Sequence, residues 1–271
     1  MPTIAVLQMR SGTDPEANFQ AIEDAVVKAK GGGAKVLFTP EMALLLDRER
    51  KRAAGSMGAR NYCDYPARLS ELAKAGNIDI ALGSMPMPLA SGKAANRAIY
   101  LRASGTSVVY DKLHMFDVDL AGGESWRESN AYEPGREIVS VDDTPLGRVG
   151  LAICYDMRFP ALFQELGTRC CDAIAIPAAF TRPTGAAHWH ILLRARAIEA
   201  SAFVIAAAQV GEHDDGRATY GHSLVVDPWG DILLDMGGEE PGIAFCDIDL
   251  SRIAQVRAQV PSLANRRAIP T

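Results

Sequence analysis

Apolar residues recur along this chain with two different periods. Between residues 15 and 30 they return every three or four positions, which is typical of an amphipathic helix. Short apolar runs that are typical of buried strands flank this segment, at residues 4–8 and 36–39. Further strands are predicted at residues 78–83, 98–102, 108–112, 138–141, 149–153, 173–177, 203–208, 223–226, 232–235 and 243–248. So many strands with helices between them favour an α/β fold in which two sheets pack face to face under covering helices.

Three of the predicted strands end at residues that can take part in chemistry. Glu41 follows the strand at 36–39, Lys112 ends the strand at 108–112, and Cys154 follows the strand at 149–153. Taken singly, they are typical of a solvated carboxylate, a surface amine and a small core thiol. In open α/β sheets, however, the carboxyl ends of strands assemble sites from distant segments, so we expect the three side chains to converge.

The residues around these positions resemble the nitrilase, or carbon–nitrogen hydrolase, superfamily. The resemblance rests on Pro-Glu41, on Asp-Lys112-Leu-His and on Cys154-Tyr-Asp-Met-Arg-Phe-Pro, and it continues through Tyr-Gly-His-Ser-Leu-Val-Val-Asp-Pro-Trp-Gly at 220–230. It implies a Glu-Lys-Cys triad in a four-layer α-β-β-α sandwich, formed by one domain over residues 1–271. It also implies a homodimer or a higher homo-oligomer. Within the superfamily, the chain looks like the branch that contains deaminated glutathione amidase and omega-amidase.

The triad residues suit hydrolysis of a linear carboxamide through a thioester. A thiol is mostly protonated at neutral pH, so Cys154 needs a base, and Glu41 can take its proton and pass it to the departing ammonia. Lys112 and the backbone N–H of Tyr155 can stabilise the oxyanion of the tetrahedral intermediate. Glu128 resembles the second glutamate of the family, which would orient the lysine and the incoming water. This chemistry requires no cofactor.

Substrate recognition is expected to involve arginine side chains and the wall of the pocket. Arginine is well suited to bind the far carboxylate of an omega-amide acid. Arg158, four residues after the cysteine, could face the same pocket or could pair with Asp156 instead. The resemblance implies that Phe180 and Thr184 line the acyl pocket. Arg182, which lies between them in sequence, could add a second cation or point to solvent.

The expected substrate is a small amide, and several identities stay open. Within the resemblance, deaminated glutathione is favoured by the stretch from Gln209 to His213, by Tyr-Gly-His-Ser at 220–223 and by Asn265-Arg-Arg267. The alternatives are an omega-amide that resembles alpha-ketoglutaramate and, after it, a nitrile or an N-carbamoyl compound. A catalytically silent binding protein is the alternative from another class. The presence of all three triad residues argues against it.

Length, composition and charge argue against several other classes of protein. A chain of 271 residues with 48% hydrophobic residues can bury a large core, and its net charge of −5 argues against a nucleic-acid partner. No apolar run approaches the roughly 20 residues that span a bilayer. The chain starts on a strand and has five cysteines, so a cytoplasmic location with free thiols is expected. His188 and His190 are two positions apart and do not share a helical face, so no metal site is expected there.

Overall fold

The computed structural model describes residues 1–119, 123 and 125–268, so residues 120–122, 124 and 269–271 of the predicted domain lie outside it. Within the described residues, two six-stranded sheets pack against each other. The first has the spatial order β16 (Gly242–Asp247), β1 (Thr3–Gln8), β2 (Val36–Phe38), β3 (Asp79–Pro88), β4 (Ala94–Leu101) and β5 (Ser107–Asp111). The second has the order β15 (Ile232–Asp235), β14 (Leu224–Val226), β11 (Phe203–Ala206), β10 (Ala173–Ala175), β9 (Gly147–Leu151) and β8 (Ser140–Thr144).

Three neighbouring strands in each sheet are parallel, β1 with β2 and β3, and β9 with β10 and β11. Strand β5 is antiparallel to β4, which is itself antiparallel to β3, so β5 ends at the same edge as β2 and β3. The carboxyl ends of the parallel strands therefore lie at one edge of each sheet. This is the edge at which the sequence argument placed the site.

Helices cover the outer face of each sheet. Helices α1 (Pro15–Gly31) and α3 (Tyr65–Gly76) pack on the first sheet, and α4 (Pro160–Thr168) and α5 (Arg182–Ala200) pack on the second. Side chains along a strand alternate between the two layers. In β2, Val36 and Phe38 join the core between the sheets, whereas Leu37 joins the core under α1 and α3. The predicted α-β-β-α fold is confirmed.

The remaining elements are short. They comprise α2 (Arg50–Met57), α6 (Ser251–Gln259) and two small antiparallel pairs, β6 (Asp117–Asp119) with β7 (Ser125–Arg127) and β12 (Val210–Glu212) with β13 (Ala218–Tyr220). These four strands were not predicted, because their residues do not form apolar runs. Among the described residues, no helix has the length and apolar character needed to cross a membrane.

Candidate active site

A cavity of about 940 Å³ brings most of the predicted site residues together. Seven of them line it: Glu41, Lys112, Glu128, Cys154, Tyr155, Phe180 and Thr184. The first four come from four separate stretches of chain, three of which follow or end a strand as predicted. The convergence that the strand ends suggested is therefore present in the structure.

Glu41 is buried three residues after the end of β2, and hydrogen bonds hold both of its carboxylate oxygens. Its Oε1 accepts hydrogen bonds from Lys112 Nζ at 3.0 Å and from Asn96 Nδ2 at 2.9 Å, and its Oε2 accepts one from the Ala179 backbone N–H at 2.9 Å. Cys154 lines the same cavity as this carboxylate. Burial alone would raise the pKa of Glu41, but the Lys112 charge and the hydrogen bonds outweigh burial and lower it. The carboxylate is therefore ionised and can accept a proton.

Lys112 lies between two carboxylates. Its Nζ is 3.0 Å from Glu41 Oε1, and it is 3.0 and 2.9 Å from the two carboxylate oxygens of Glu128. Burial by itself would lower the pKa of Lys112, but the two negative charges beside it raise that pKa well above the ordinary value. The amine is held as an ammonium ion, which is the form that stabilises an oxyanion.

Glu128 is fixed by contacts beyond its pair with the lysine. It begins a 3₁₀ turn (Glu128–Asn130), and its Oε2 accepts a hydrogen bond of 2.6 Å from the Phe116 backbone N–H. Asn96 Nδ2 lies 3.2 Å from Glu128 Oε1 and so bridges the two glutamates. These contacts suit the orienting role that the resemblance implied for Glu128.

Cys154 follows β9 in a backbone conformation that few residues adopt. Its φ is +46°, in the left-handed region, and its N–H donates a 2.8 Å hydrogen bond to the carbonyl oxygen of Pro177. Asp156 closes the turn, because its carboxylate accepts a hydrogen bond of 2.9 Å from the Ile153 N–H and one of 2.6 Å from the Tyr110 hydroxyl. Such strained conformations persist where the surroundings over-determine them, and they cluster at active sites.

The thiol of Cys154 is neutral in this environment. Burial raises its pKa well above the ordinary value, the Glu41 carboxylate raises it further, and the Lys112 charge opposes them only in part. The proton therefore stays on sulfur until a base takes it. Because Glu41 is ionised and shares the cavity with Cys154, proton transfer to Glu41 as the sulfur attacks is favoured over a thiolate that forms beforehand.

Neither of the arginines predicted for substrate binding lines the cavity. The Arg158 guanidinium lies 5.2 Å from the Phe180 ring centroid and 5.8 Å from that of Tyr155, and its nitrogens are 3.4 Å from His188 Nδ1. The spacing argument assumed an α-helix after the cysteine, but Cys154–Arg158 is a 3₁₀ turn, in which residues four apart do not share a face. Arg182 is exposed at the start of α5, in accord with the solvent alternative.

Other basic residues do line the cavity, and sequence reasoning missed them. They include Arg48, Arg127 and Arg217. Arg217 Nε is held 2.8 Å from Asp215 Oδ2, and its guanidinium lies 5.4 Å from the Trp126 ring centroid. Sequence reasoning also missed Asn96, although a polar amide inside the apolar β4 was a usable signal, since a buried amide needs partners.

The comparisons with known proteins identify the family of this chain. The carbon-nitrogen hydrolase family matches residues 3–258. Deaminated glutathione amidase of Synechocystis sp. (strain PCC 6803 / GT-S) is 38% identical over 266 residues, which are 97% of this chain and 97% of that protein. The Homo sapiens protein of the same name is 37% identical over 98% of this chain and 83% of its own length. The Caenorhabditis elegans fusion protein NitFhit is 38% identical over 98% of this chain, which spans 60% of that protein's length.

Solved structures give the same result. The crystal structure of C. elegans NitFhit superposes with a TM-score of 0.91 at 37% identity, over 98% of this chain and 65% of that one. Saccharomyces cerevisiae Nit3, described as a member of branch 10 of the nitrilase superfamily, superposes with a TM-score of 0.84 at 27% identity, over 96% and 94%. The protein therefore belongs to the carbon–nitrogen hydrolase family, and it is a hydrolase that acts on non-peptide carbon–nitrogen bonds.

Proposed function

We propose that this protein is an amidase that cleaves the γ-amide of deaminated glutathione through a thioester on Cys154. The observation that carries the proposal is the buried cluster of Glu41, Lys112 and Glu128 against a neutral thiol, inside a cavity that basic side chains line. Relatives that are 37–38% identical over nearly the whole chain and are named deaminated glutathione amidase support the choice of substrate.

In the first half-reaction, Cys154 Sγ attacks the amide carbon while Glu41 takes the thiol proton. The carbonyl oxygen becomes an oxyanion, which the Lys112 ammonium and the Tyr155 N–H stabilise. When the tetrahedral intermediate collapses, the C–N bond breaks and Glu41 gives its proton to the leaving nitrogen. The products of this half are a thioester on Cys154 and a free amine.

In the second half-reaction, water hydrolyses the thioester. Glu41, ionised again, takes a proton from water, and the resulting hydroxide attacks the acyl carbon. The C–S bond then breaks, and the sulfur regains its proton from Glu41. Glu128 keeps Lys112 in place throughout, because both of its oxygens contact the ammonium.

The size and charge of the cavity favour a large anionic substrate. A volume of about 940 Å³ lies at the upper end of the roughly 300–1,000 Å³ that small-molecule sites occupy. Deaminated glutathione carries a carboxylate at each end, and Arg217 is placed at the cavity wall where it can bind one of them. In the glutathione skeleton the γ-amide nitrogen belongs to cysteinylglycine, so this substrate releases that dipeptide, whereas alpha-ketoglutaramate releases ammonia.

One assay separates the two leading substrates. Hydrolysis of either produces 2-oxoglutarate, so a coupled assay for that product compares their kcat/KM values directly, with Cys154→Ala as the blank. We expect deaminated glutathione to be preferred. A preference for alpha-ketoglutaramate would make the protein an omega-amidase, and no turnover of any linear amide would favour a silent binding protein.

We also propose that the protein forms a homodimer through α5. Ile191 and Ile198, two turns apart on one face of this helix, are 70% and 50% exposed, and Trp229 is 45% exposed. The turn that carries Trp229 contacts this helix, since Arg194 Nε donates a 2.7 Å hydrogen bond to the Gly230 carbonyl oxygen. Burial of this face by a second copy would remove these apolar side chains from water.

The cytoplasmic location stays a prediction from the sequence.

A further inference from the structure

Three side chains outside the cavity converge from distant parts of the sequence. His190 lies on α5, His222 lies two residues before β14, and Asp235 ends β15. His190 Nε2 is 3.1 Å from Asp235 Oδ2, and His222 Nδ1 is 2.9 and 3.2 Å from the two oxygens of the same carboxylate. Within the described part of the chain, this is the group of histidine, cysteine and carboxylate side chains whose ligand atoms all lie within 4.8 Å of one another.

This spacing suits a first-row transition metal. Ligand atoms at about 2.0–2.1 Å from a tetrahedral zinc ion lie about 3.3 Å apart, close to the two nitrogen–oxygen separations seen here. The two imidazole nitrogens have to approach each other by no more than about 1.5 Å. Two imidazoles and one carboxylate select zinc, nickel, cobalt or copper over magnesium and calcium, which prefer oxygen ligands.

The cluster is accessible to ions in solution. The side chains of His190, His222 and Asp235 are 29%, 24% and 33% exposed. Three protein ligands with one open side leave the fourth position of a tetrahedral ion to water. The active-site cluster differs because it already holds a cation, the Lys112 ammonium, which contacts both of its carboxylates.

The supporting contacts hold the three side chains in place. The His222 N–H donates to the Gly237 carbonyl oxygen at 2.7 Å, and the His222 carbonyl oxygen accepts from Trp189 Nε1 at 2.8 Å. The His222 ring stacks on Tyr220 with a centroid separation of 4.4 Å. The Gly237 N–H donates to Asp235 Oδ1 at 2.9 Å. Such outer contacts orient metal ligands, and their presence lowers the ordering cost of binding.

We propose that His190 Nε2, His222 Nδ1 and Asp235 form a binding site for a divalent transition-metal ion of the zinc type. The ion would tie α5 to the β14–β15 hairpin, beside the wall of the cavity to which α5 contributes Thr184. The sequence argument excluded a metal site here because it considered only His188 and His190. His190 instead meets residues that lie 32 and 45 positions further along the chain.

The test is calorimetric titration of Zn²⁺ into the metal-free protein. All proteins carry Cys63→Ser and Cys170→Ser, because these two exposed thiols also bind zinc. We expect one Zn²⁺ site that His190→Gln and His222→Asn each weaken by more than the about 10- to 100-fold that loss of an outer-shell partner costs. Asparagine suits position 222 because the φ there is +53°.

The matched control is His188→Gln, an exposed histidine on the same helix and outside the cluster, which should keep full affinity. Asp235→Asn, nearly isosteric, provides a third variant if either histidine variant fails to fold. Absence of Zn²⁺ binding by the parent protein would overturn the proposal. So would binding that the cluster variants leave unchanged, since that zinc would then sit elsewhere, for example at the Cys154 thiol.

Discussion

Two clusters of ionisable side chains in this protein differ in how much of each side chain is exposed to water. The side chains of Glu41, Lys112 and Glu128 are only 6%, 2% and 12% exposed, and the Lys112 ammonium lies within 3.0 Å of both carboxylates. His190, His222 and Asp235 also lie about 3 Å apart, but between a quarter and a third of each side chain remains exposed. Distance alone does not distinguish the two clusters.

The difference shows how burial determines what a charged cluster can do. In the buried cluster the interactions are strong because water does not screen them, so the protonation states are held and the groups suit catalysis. In the exposed cluster the interactions are weak, and the ligand atoms stay available to an ion from solution. The predictions below begin with the nucleophile, then compare the two clusters directly, and end with the arginines at and near the cavity.

Cys154→Ala should have the largest effect. Turnover should fall by about a thousandfold or more because the reaction loses its nucleophile, while the free energy of unfolding changes little, since the side chain is small. The measurement combines 2-oxoglutarate release with urea denaturation. Turnover within about tenfold of wild type would refute the thioester mechanism.

Lys112→Met should destabilise the fold far more than Asp235→Asn. Removal of the ammonium leaves two buried carboxylates without their counter-charge, which costs about 3–5 kcal/mol. Loss of the exposed carboxylate charge should cost about 1 kcal/mol or less. Urea denaturation of both variants at neutral pH and without metal measures the difference. Equal losses would show that burial does not separate the two clusters.

Arg217→Gln should impair binding of acidic amides selectively. Loss of one charge-assisted hydrogen bond to a carboxylate costs about 1.5–3 kcal/mol, which is roughly 10- to 100-fold in kcat/KM. The readout is the ratio of kcat/KM for deaminated glutathione to that for a neutral amide of similar size. Arg182→Gln, at an exposed position outside the cavity, is the matched control and should leave the ratio unchanged.

Arg158→Lys tests the reassignment of the carboxylate contact. Because the Arg158 guanidinium packs against Phe180 and Tyr155 and does not line the cavity, the same ratio should stay within about twofold of wild type. A selective loss for the acidic amide would return the contact to Arg158, as the sequence alone suggested.

The sequence predicts the fold and the reactive centre well. It does not predict contacts that backbone groups make, or contacts that depend on the type of turn. Glu41, Lys112 and Cys154 were found because each follows a readable strand. The Ala179 N–H that binds Glu41 is a backbone group without any sequence signature. The error at Arg158 came from the turn type, since a 3₁₀ turn and an α-helix begin alike in sequence.

The metal cluster was missed for a related reason. Its members come from a helix, a loop and a strand, so no period or motif links them, and only the packing of α5 on the hairpin brings them together. By contrast, the second glutamate was identified by resemblance, because its surrounding residues form a recognisable block. Sequence patterns do not reveal contacts between single residues that lie far apart in the chain.

The central claim is that the buried cluster holds Cys154 as a neutral thiol beside an ionised Glu41. The most direct test is the difference in ultraviolet thiolate absorbance between wild type and Cys154→Ala, followed from about pH 6 to about pH 9. Because the pKa of Cys154 is raised well above its ordinary value, we expect no thiolate to appear in this range, and activity should decline with acid only as the pH falls through the lowered pKa of Glu41, below its ordinary 4.5. A thiolate that titrates at or below the ordinary pKa of about 8.5 would contradict the account.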